Sequence, residues 1–87
     1  MNSFDFTYSL KHGKAHIADI DARATLNRDN SVDIEFYDFI TGNYVPAGEY
    51  TNDARAFLYT DCPDLWMEYK QDCFTGWRAH DRVLAAE

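Results

Sequence analysis

Basic charge is scarce in this chain. Eight Lys and Arg stand against fifteen Asp and Glu, which leaves a formal charge of -7. The surplus is even: eight acids and four bases up to Tyr50, then seven acids and four bases after it. It therefore belongs to the whole chain and is no detachable tail. Nucleic acid and anionic membrane surfaces both demand a basic footprint, so both are disfavoured as direct partners. No apolar run approaches the ~20 residues of a membrane span. The sequence as given opens on no charged n-region with an apolar h-region behind it, and the expectation is a cytoplasmic protein. Cys62 and Cys73 are the only two cysteines. With helix between them they lie roughly 16 Å apart at ~1.5 Å per residue. A disulfide needs Cα atoms within ~7 Å, so two reduced, mostly buried thiols are expected.

Signatures of catalysis are missing as well. There is no G-x-S-x-G, no G-x-x-x-x-G-K-[ST] and no G-x-G-x-x-G. Asp64 and Glu68 fall on one helix face, which supplies neither the burial nor the opposed environments of a general acid/base pair. His12, His16 and His80 have no H-x-x-x-H spacing, and with Cys62 and Cys73 they make no zinc pattern. Asp19-Ile20-Asp21 and Asp29-Asn30 lack the remainder of a calcium loop. The reading is a non-enzyme with no cofactor and no metal, a metal-dependent enzyme being the remotest alternative.

What the chain does have is aromatic bulk: six Phe, six Tyr and two Trp in 87 residues. Each fully buried apolar side chain contributes roughly 1.5–3 kcal/mol by transfer. The length allows a single domain, residues 1–87, and disorder is disfavoured by the composition. Ser3–Leu10 alternates, with Phe4, Phe6, Tyr8 and Leu10 opposite Asp5, Thr7 and Ser9. Gly13 can take the positive φ of a tight hairpin turn. Ala18, Ile20, Ala22, Ala24 and Leu26 share the apolar side of a second strand, with Asp19, Asp21, Arg23 and Thr25 opposite. Ile17 breaks that phase and predicts a bulge near Ala15–Ala18. Alanine is a poor strand former, so the run Ala18, Ala22, Ala24 predicts close approach by something packed above, or else a helix in place of the strand. Arg28-Asp29-Asn30-Ser31 supplies turn residues before a third strand. There Val32, Ile34 and Phe36 are opposed by Asp33, Glu35 and Tyr37. Thr41-Gly42-Asn43 reads as a reversal and Tyr44-Val45 as a short edge strand ended by Pro46.

The α half follows. Thr51 or Asn52 reads as an N-cap, with Ala54, Phe57 and Leu58 on one face. Asp61-Cys62-Pro63 opens a second helix with Pro63 in its first position. Leu65, Trp66, Tyr69 and Cys73 form its apolar stripe, and Asp64, Glu68 and Asp72 share the other side. Gly76 ends or kinks this helix, and Trp77–Ala86 forms a last one. The expected fold is α+β: a three- to four-stranded antiparallel meander (about residues 3–48) packed by two or three helices (about residues 51–86).

Two surfaces follow from that arrangement. Asp5, Asp19, Asp21, Asp33 and Glu35, with Tyr37, project from the side of the sheet away from the helices. Like charges directly opposite one another destabilise a sheet, so such a face is costly to expose. Strands lie ~4.8 Å apart and same-face residues ~6.6 Å apart. Phosphates repeat at ~7 Å along a strand, twice the ~3.4 Å rise. The face thus offers carboxylates at a loosely phosphate-like spacing, to be read by a basic protein surface, in particular that of a nucleic-acid-binding protein. A merely solvated face is the plainer reading. The second surface is aromatic: Trp66, Met67, Phe74 and Trp77 exceed one helical stripe. Core filling is the plainer reading, and exposure of the surplus predicts homodimerisation. In size and acidity alone the chain is similar to small antagonists encoded by phages and plasmids, some of which imitate nucleic acid. That likeness implies an inhibitory protein-binding module; a structural module assembling through the aromatic helix is the alternative.

Overall fold

The period-two stretches of the first half form strands and the period-3.6 stretches of the second form helices. The computed structural model describes residues 3–86. The strands are β1 (Phe4–His12), β2 (Ala15–Leu26), β3 (Val32–Asp38) and β4 (Asn43–Pro46). They pair antiparallel in the order β1-β2-β3-β4. A 3-10 turn at Gly48–Tyr50 leads into α1 (Thr51–Asp61) and α2 (Pro63–Ala86). The fold is the expected α+β meander packed by C-terminal helices, which number two.

The turns fix the register. Gly13 has φ +61° at the first central position of the two-residue β1–β2 turn, where only glycine is unstrained. Between β2 and β3 the Asn27 N–H donates to Ser31 O at 2.8 Å, and Asn30 takes φ +73°. Asparagine is among the few side chains that tolerate this conformation. β1 and β2 stay in register from Phe4↔Ala24 to Leu10↔Ala18, after which Lys11 faces His16. Ile17 is the extra residue of a bulge. This accounts for its broken phase and leaves its side chain 60% exposed.

The Ala-rich run is strand. Ala22 and Ala24 are buried under a layer of rings. Tyr8 of β1 and Phe36 of β3 stack across β2 at 5.4 Å, with planes 12° apart. They meet diagonally, Tyr8 opposite Ile20 and Phe36 opposite Ala22, and a larger side chain at Ala22 would separate them. Phe57 of α1 closes the layer edge-on to Tyr8 at 5.5 Å, and Ala54 and Leu58 of the same helix are fully buried. α1 is also tied to the sheet by Arg55, whose Nε donates to the Val32 carbonyl at 2.8 Å. At the far end of the sheet Trp66 and Tyr69 of α2 each sit 5.8 Å from Phe4, and the Leu26 N–H donates to the Tyr69 hydroxyl.

Three local expectations change. Neither Thr51 nor Asn52 caps α1. Winding already begins at Gly48, the N-cap position falls to Tyr50 without a side-chain bond, and the Thr51 hydroxyl donates back to Gly48 O at 2.7 Å. Leu65 is 60% exposed, because the stripe facing the sheet runs through Trp66, Tyr69 and Cys73 instead. Gly76 does not end the second helix, which is continuous through it for 24 residues and leaves no separate helix over Trp77–Ala86. Contacts beyond the glycine hold it: Arg28 donates to both Asp81 carboxylate oxygens at 3.1 and 3.2 Å and lies 5.5 Å over the Trp77 ring. Cys62 does behave as expected, its carbonyl taking the first bond of α2 from the Trp66 N–H at 2.9 Å. Both cysteines are free thiols.

A Cβ at Gly76 meets nothing within 4 Å. Gly76→Ala is therefore expected to raise the unfolding free energy by about 0.5–1 kcal/mol in urea titration, the helix-interior difference between the two residues.

Burial pushes the phenols of Tyr8 and Tyr69 above their ordinary value of 10.0. Asp53 adds to the effect at Tyr8, and the Cys73 thiol adds to it at Tyr69. The folded core thus favours the neutral phenols. Their contribution to stability is complete below the unfolded value near 10 and is lost as pH rises through the higher folded values. The thermal midpoint should fall more steeply above pH 10 than below it, and Tyr8→Phe should reduce that alkaline fall.

Candidate functional site

Among the described residues no helix covers the outer face of the sheet, and the register decides what stands there. Asp19 lies opposite Ser9, Asp21 opposite Thr7, and Asp33 opposite Thr25. Asp5 and Glu35 lie on either side of Arg23 in one row across β1, β2 and β3. All five acidic residues predicted for this face therefore share it. No two of them are directly opposite in the pairing of β1, β2 and β3, which corrects the expectation of a costly face. Each carboxylate has a hydroxyl residue or the guanidinium across from it, so the direct like-charge penalty is avoided.

Asp5, Asp19, Asp21 and Asp33 are exposed and Glu35 is half-buried. Three of them accept hydrogen bonds. Asp33 takes one from Asn27 Nδ2 at 3.1 Å, Asp19 pairs with His16 Nε2 at 2.8 Å, and Asp5 takes Arg23 Nε at 3.4 Å. Arg23 is the centre of the face. Besides Asp5 it reaches over β3 to place its guanidinium carbon 3.8 Å from the centre of the Tyr44 ring on β4. Tyr44 in turn meets Tyr37 edge-on at 5.4 Å. Tyr37 thus lies on the same face as the acids, packed as one wall of this aromatic–cation clamp.

Sequence reasoning placed Arg23 among the acids but missed Tyr44 as its partner. The signal was available in part: Tyr37 and Tyr44 are directly opposite once the reversal at Thr41–Asn43 is accepted. A second missed feature is the β3–β4 tip, where Phe39 is 84% and Ile40 89% exposed. The Asp38 carboxylate accepts the Ile40 N–H at 3.0 Å and its carbonyl the Gly42 N–H at 2.7 Å, which fixes the tip. A notch of about 460 Å³ lies between Ala18–Asp21 of β2 and Phe36–Phe39, where β3 has turned away from β2.

The aromatic helical surface is divided. Trp66 is buried in the core, a correction to its place in a self-association surface, because Phe4, Tyr59 and Tyr69 surround it. Phe74 and Trp77 are half-buried and pack on each other at 5.7 Å. Met67 alone of the four is exposed. Asp64, Glu68 and Asp72 are exposed along α2, and His12 and His80 are exposed as well. Among the described residues no group of three or more His, Cys, Asp or Glu is placed to hold a metal ion. No helix among them is long and apolar enough to cross a membrane.

A charge-assisted clamp on a surface is worth about 0.5–1 kcal/mol for the cation–π contact, with at most a similar amount from the ion pair. Arg23→Gln and Tyr44→Leu are each expected to cost about 1 kcal/mol in urea titration. The double variant should cost less than the sum of the two, since both remove the same contact. No protein-family model, curated protein or solved structure matches the chain.

Proposed function

We propose that this protein is a non-catalytic binding module whose open sheet face engages a basic surface, specifically that of a nucleic-acid-binding protein, and thereby inhibits it. One observation carries the reading: Asp5, Asp19, Asp21, Asp33 and Glu35 share a face on which Arg23 is the only arginine or lysine paired among them. Asp19 and Asp21, like Asp33 and Glu35, are neighbours along a strand at ~6.6 Å, close to two steps of the ~3.4 Å axial charge spacing of one nucleic-acid strand. Arg23 is engaged by Asp5 and Tyr44 and makes no ion pair with Asp19 or Asp21. Carboxylates carried on paired strands lose little backbone entropy on binding, and the chain's net charge of -7 speeds encounter with a cationic partner.

The test is capture of basic proteins from a cell extract on immobilised protein, compared with a variant carrying Asp19→Asn, Asp21→Asn, Asp33→Asn and Glu35→Gln. The variant is isosteric and its folding is checked by circular dichroism. Partners of the wild type should be released by roughly 0.5 M salt, where the Debye length has shrunk to a few ångströms. They should be displaced by duplex DNA and be at least tenfold weaker on the variant. Partners held equally well by the variant, or indifferent to both salt and DNA, would count against the proposal.

A further inference from the structure

The sheet has three open edges, and they are not alike. Unpaired edges invite other strands, and proteins blunt them with shortness, proline, bulges or charge. β4 is four residues long and ends at Pro46. The stretch of β2 beyond its last pair with β3 contains the Ile17 bulge and carries Asp19 and Asp21. β1 has none of these devices from Phe4 to Leu10: no proline, no bulge, and Asp5 as its sole charge.

The orientation of the β1 backbone follows from the far side of the sheet. Ala47 N–H donates to the Ile34 carbonyl and Arg55 to the Val32 carbonyl, so these groups point away from β2. N–H and C=O of one residue point together and successive residues alternate. Carried through the register, this turns Phe4, Phe6, Tyr8 and Leu10 towards β2. It turns Asp5, Thr7 and Ser9 towards the open edge, where no protein group bonds their backbones among the described residues.

We infer that the occupant of this edge is a second copy of the chain, with the two β1 strands antiparallel about a two-fold axis at Tyr8. Charge selects both occupant and register. With Tyr8 opposite Tyr8, Asp5 of each copy lies directly opposite Lys11 of the other, so two ion pairs close the interface. Thr7 then faces Ser9, Phe6 faces Leu10, and the whole strand Phe4–His12 is paired. A two-fold at Asp5 instead sets carboxylate against carboxylate, which a sheet resists. The apolar side gains as well, since Phe4, Phe6 and Leu10 are half-buried and gain neighbours where the sheet now stops. The product is a continuous eight-stranded sheet with all helices on one side and both acidic faces on the other. Of the acids on the outer face only Asp5 enters the new contact; Asp19, Asp21, Asp33 and Glu35 stay outside it. The fourfold Asn/Gln variant therefore tests partner binding without touching the dimer, and Lys11→Asp tests the dimer without touching those acids.

Sedimentation equilibrium of the full chain decides it. The wild type should be a dimer at about 100 µM. Asp5→Lys and Lys11→Asp should each weaken the dimer by at least about tenfold, because each turns two attractive pairs into repulsive ones. Asp5→Lys combined with Lys11→Asp should restore it. Thr7→Pro removes an N–H that points to solvent in the free chain, leaves the β1–β2 ladder intact and should yield monomer. A wild type that stays monomeric at that concentration overturns the inference. So does a dimer untouched by the charge substitutions, or one dispersed by Trp77→Ala while the charge substitutions leave it intact. The charge exchange keeps the question decidable if Thr7→Pro fails to fold.

Discussion

The pairing register of β2 with its two neighbours is the constraint on which everything else rests. A slip of one residue would carry Ala22 and Ala24 to the solvent side and Asp21 and Arg23 beneath the helices. Two features hold it. The Gly13 turn sets β1 against β2, and the Asn27–Ser31 loop sets β3 against β2. The aromatic layer then rewards this alignment, because Tyr8, opposite Ile20, and Phe36, opposite Ala22, meet diagonally across β2 past the small side chain of Ala22. Small side chains on the central strand and large ones on both flanks are therefore two halves of one packing solution. The same register sets a hydroxyl residue or Arg23 opposite each outward acid. Core packing and surface electrostatics are settled together by one choice of alignment.

Much of this was legible in the residues, and what was not has definable causes. Alternation at Phe4–Leu10, Ala18–Leu26 and Val32–Tyr37 is local, so strand identity and face could be read without knowing the neighbours. The bulge at Ile17 was readable for the same reason, as a break in phase. The cap of α1 was not, because a threonine next to a helix start looks like a cap whether or not a 3-10 turn has already wound ahead of it. Gly76 misled in a similar way. Its local cost of ~1 kcal/mol against alanine argues for a break, but Arg28, distant in sequence, grips the helix beyond it through Asp81 and Trp77. The Arg23–Tyr44 clamp and the Arg55–Val32 tie share that character. Each joins residues about twenty apart, and composition cannot announce such a meeting. Trp66 belongs to the stripe that periodicity gave it, with Tyr69 and Cys73, and not to a self-association surface; Leu65 is the residue that lies off that stripe.

The corrected electrostatics change what the acidic face can mean. Had its carboxylates stood directly opposite one another, the strain itself would have argued for function, as a cost retained for a purpose. With a hydroxyl or Arg23 opposite each acid the face costs little, and its acidity must be weighed on arrangement alone. What remains distinctive is separation: Asp5, Asp19, Asp21, Asp33 and Glu35 lie on one face, while the other faces two helices, with no charged residue buried among the described residues. Arg23, set between Asp5 and Glu35 and stacked on Tyr44, is less a neutraliser than a brace.

Charge also governs which edges of the sheet stay unpaired. A chain with a surplus of seven negative charges repels its copies on average, so association must concentrate where the local balance departs from that average. At the open end of β2, Asp19 and Asp21 reinforce the repulsion. Along β1 the acid and base are Asp5 and Lys11, equidistant from Tyr8, and the strand is neutral as well as self-complementary when reversed on itself. Screening at physiological salt reaches only ~8 Å, so the distant acids of the outer face weigh less on such a contact than the two ion pairs within it. An acidic protein that needs one defined self-contact and no others is served by this distribution: negative charge over the face and the interrupted edge, and one strand on which the signs cancel by symmetry.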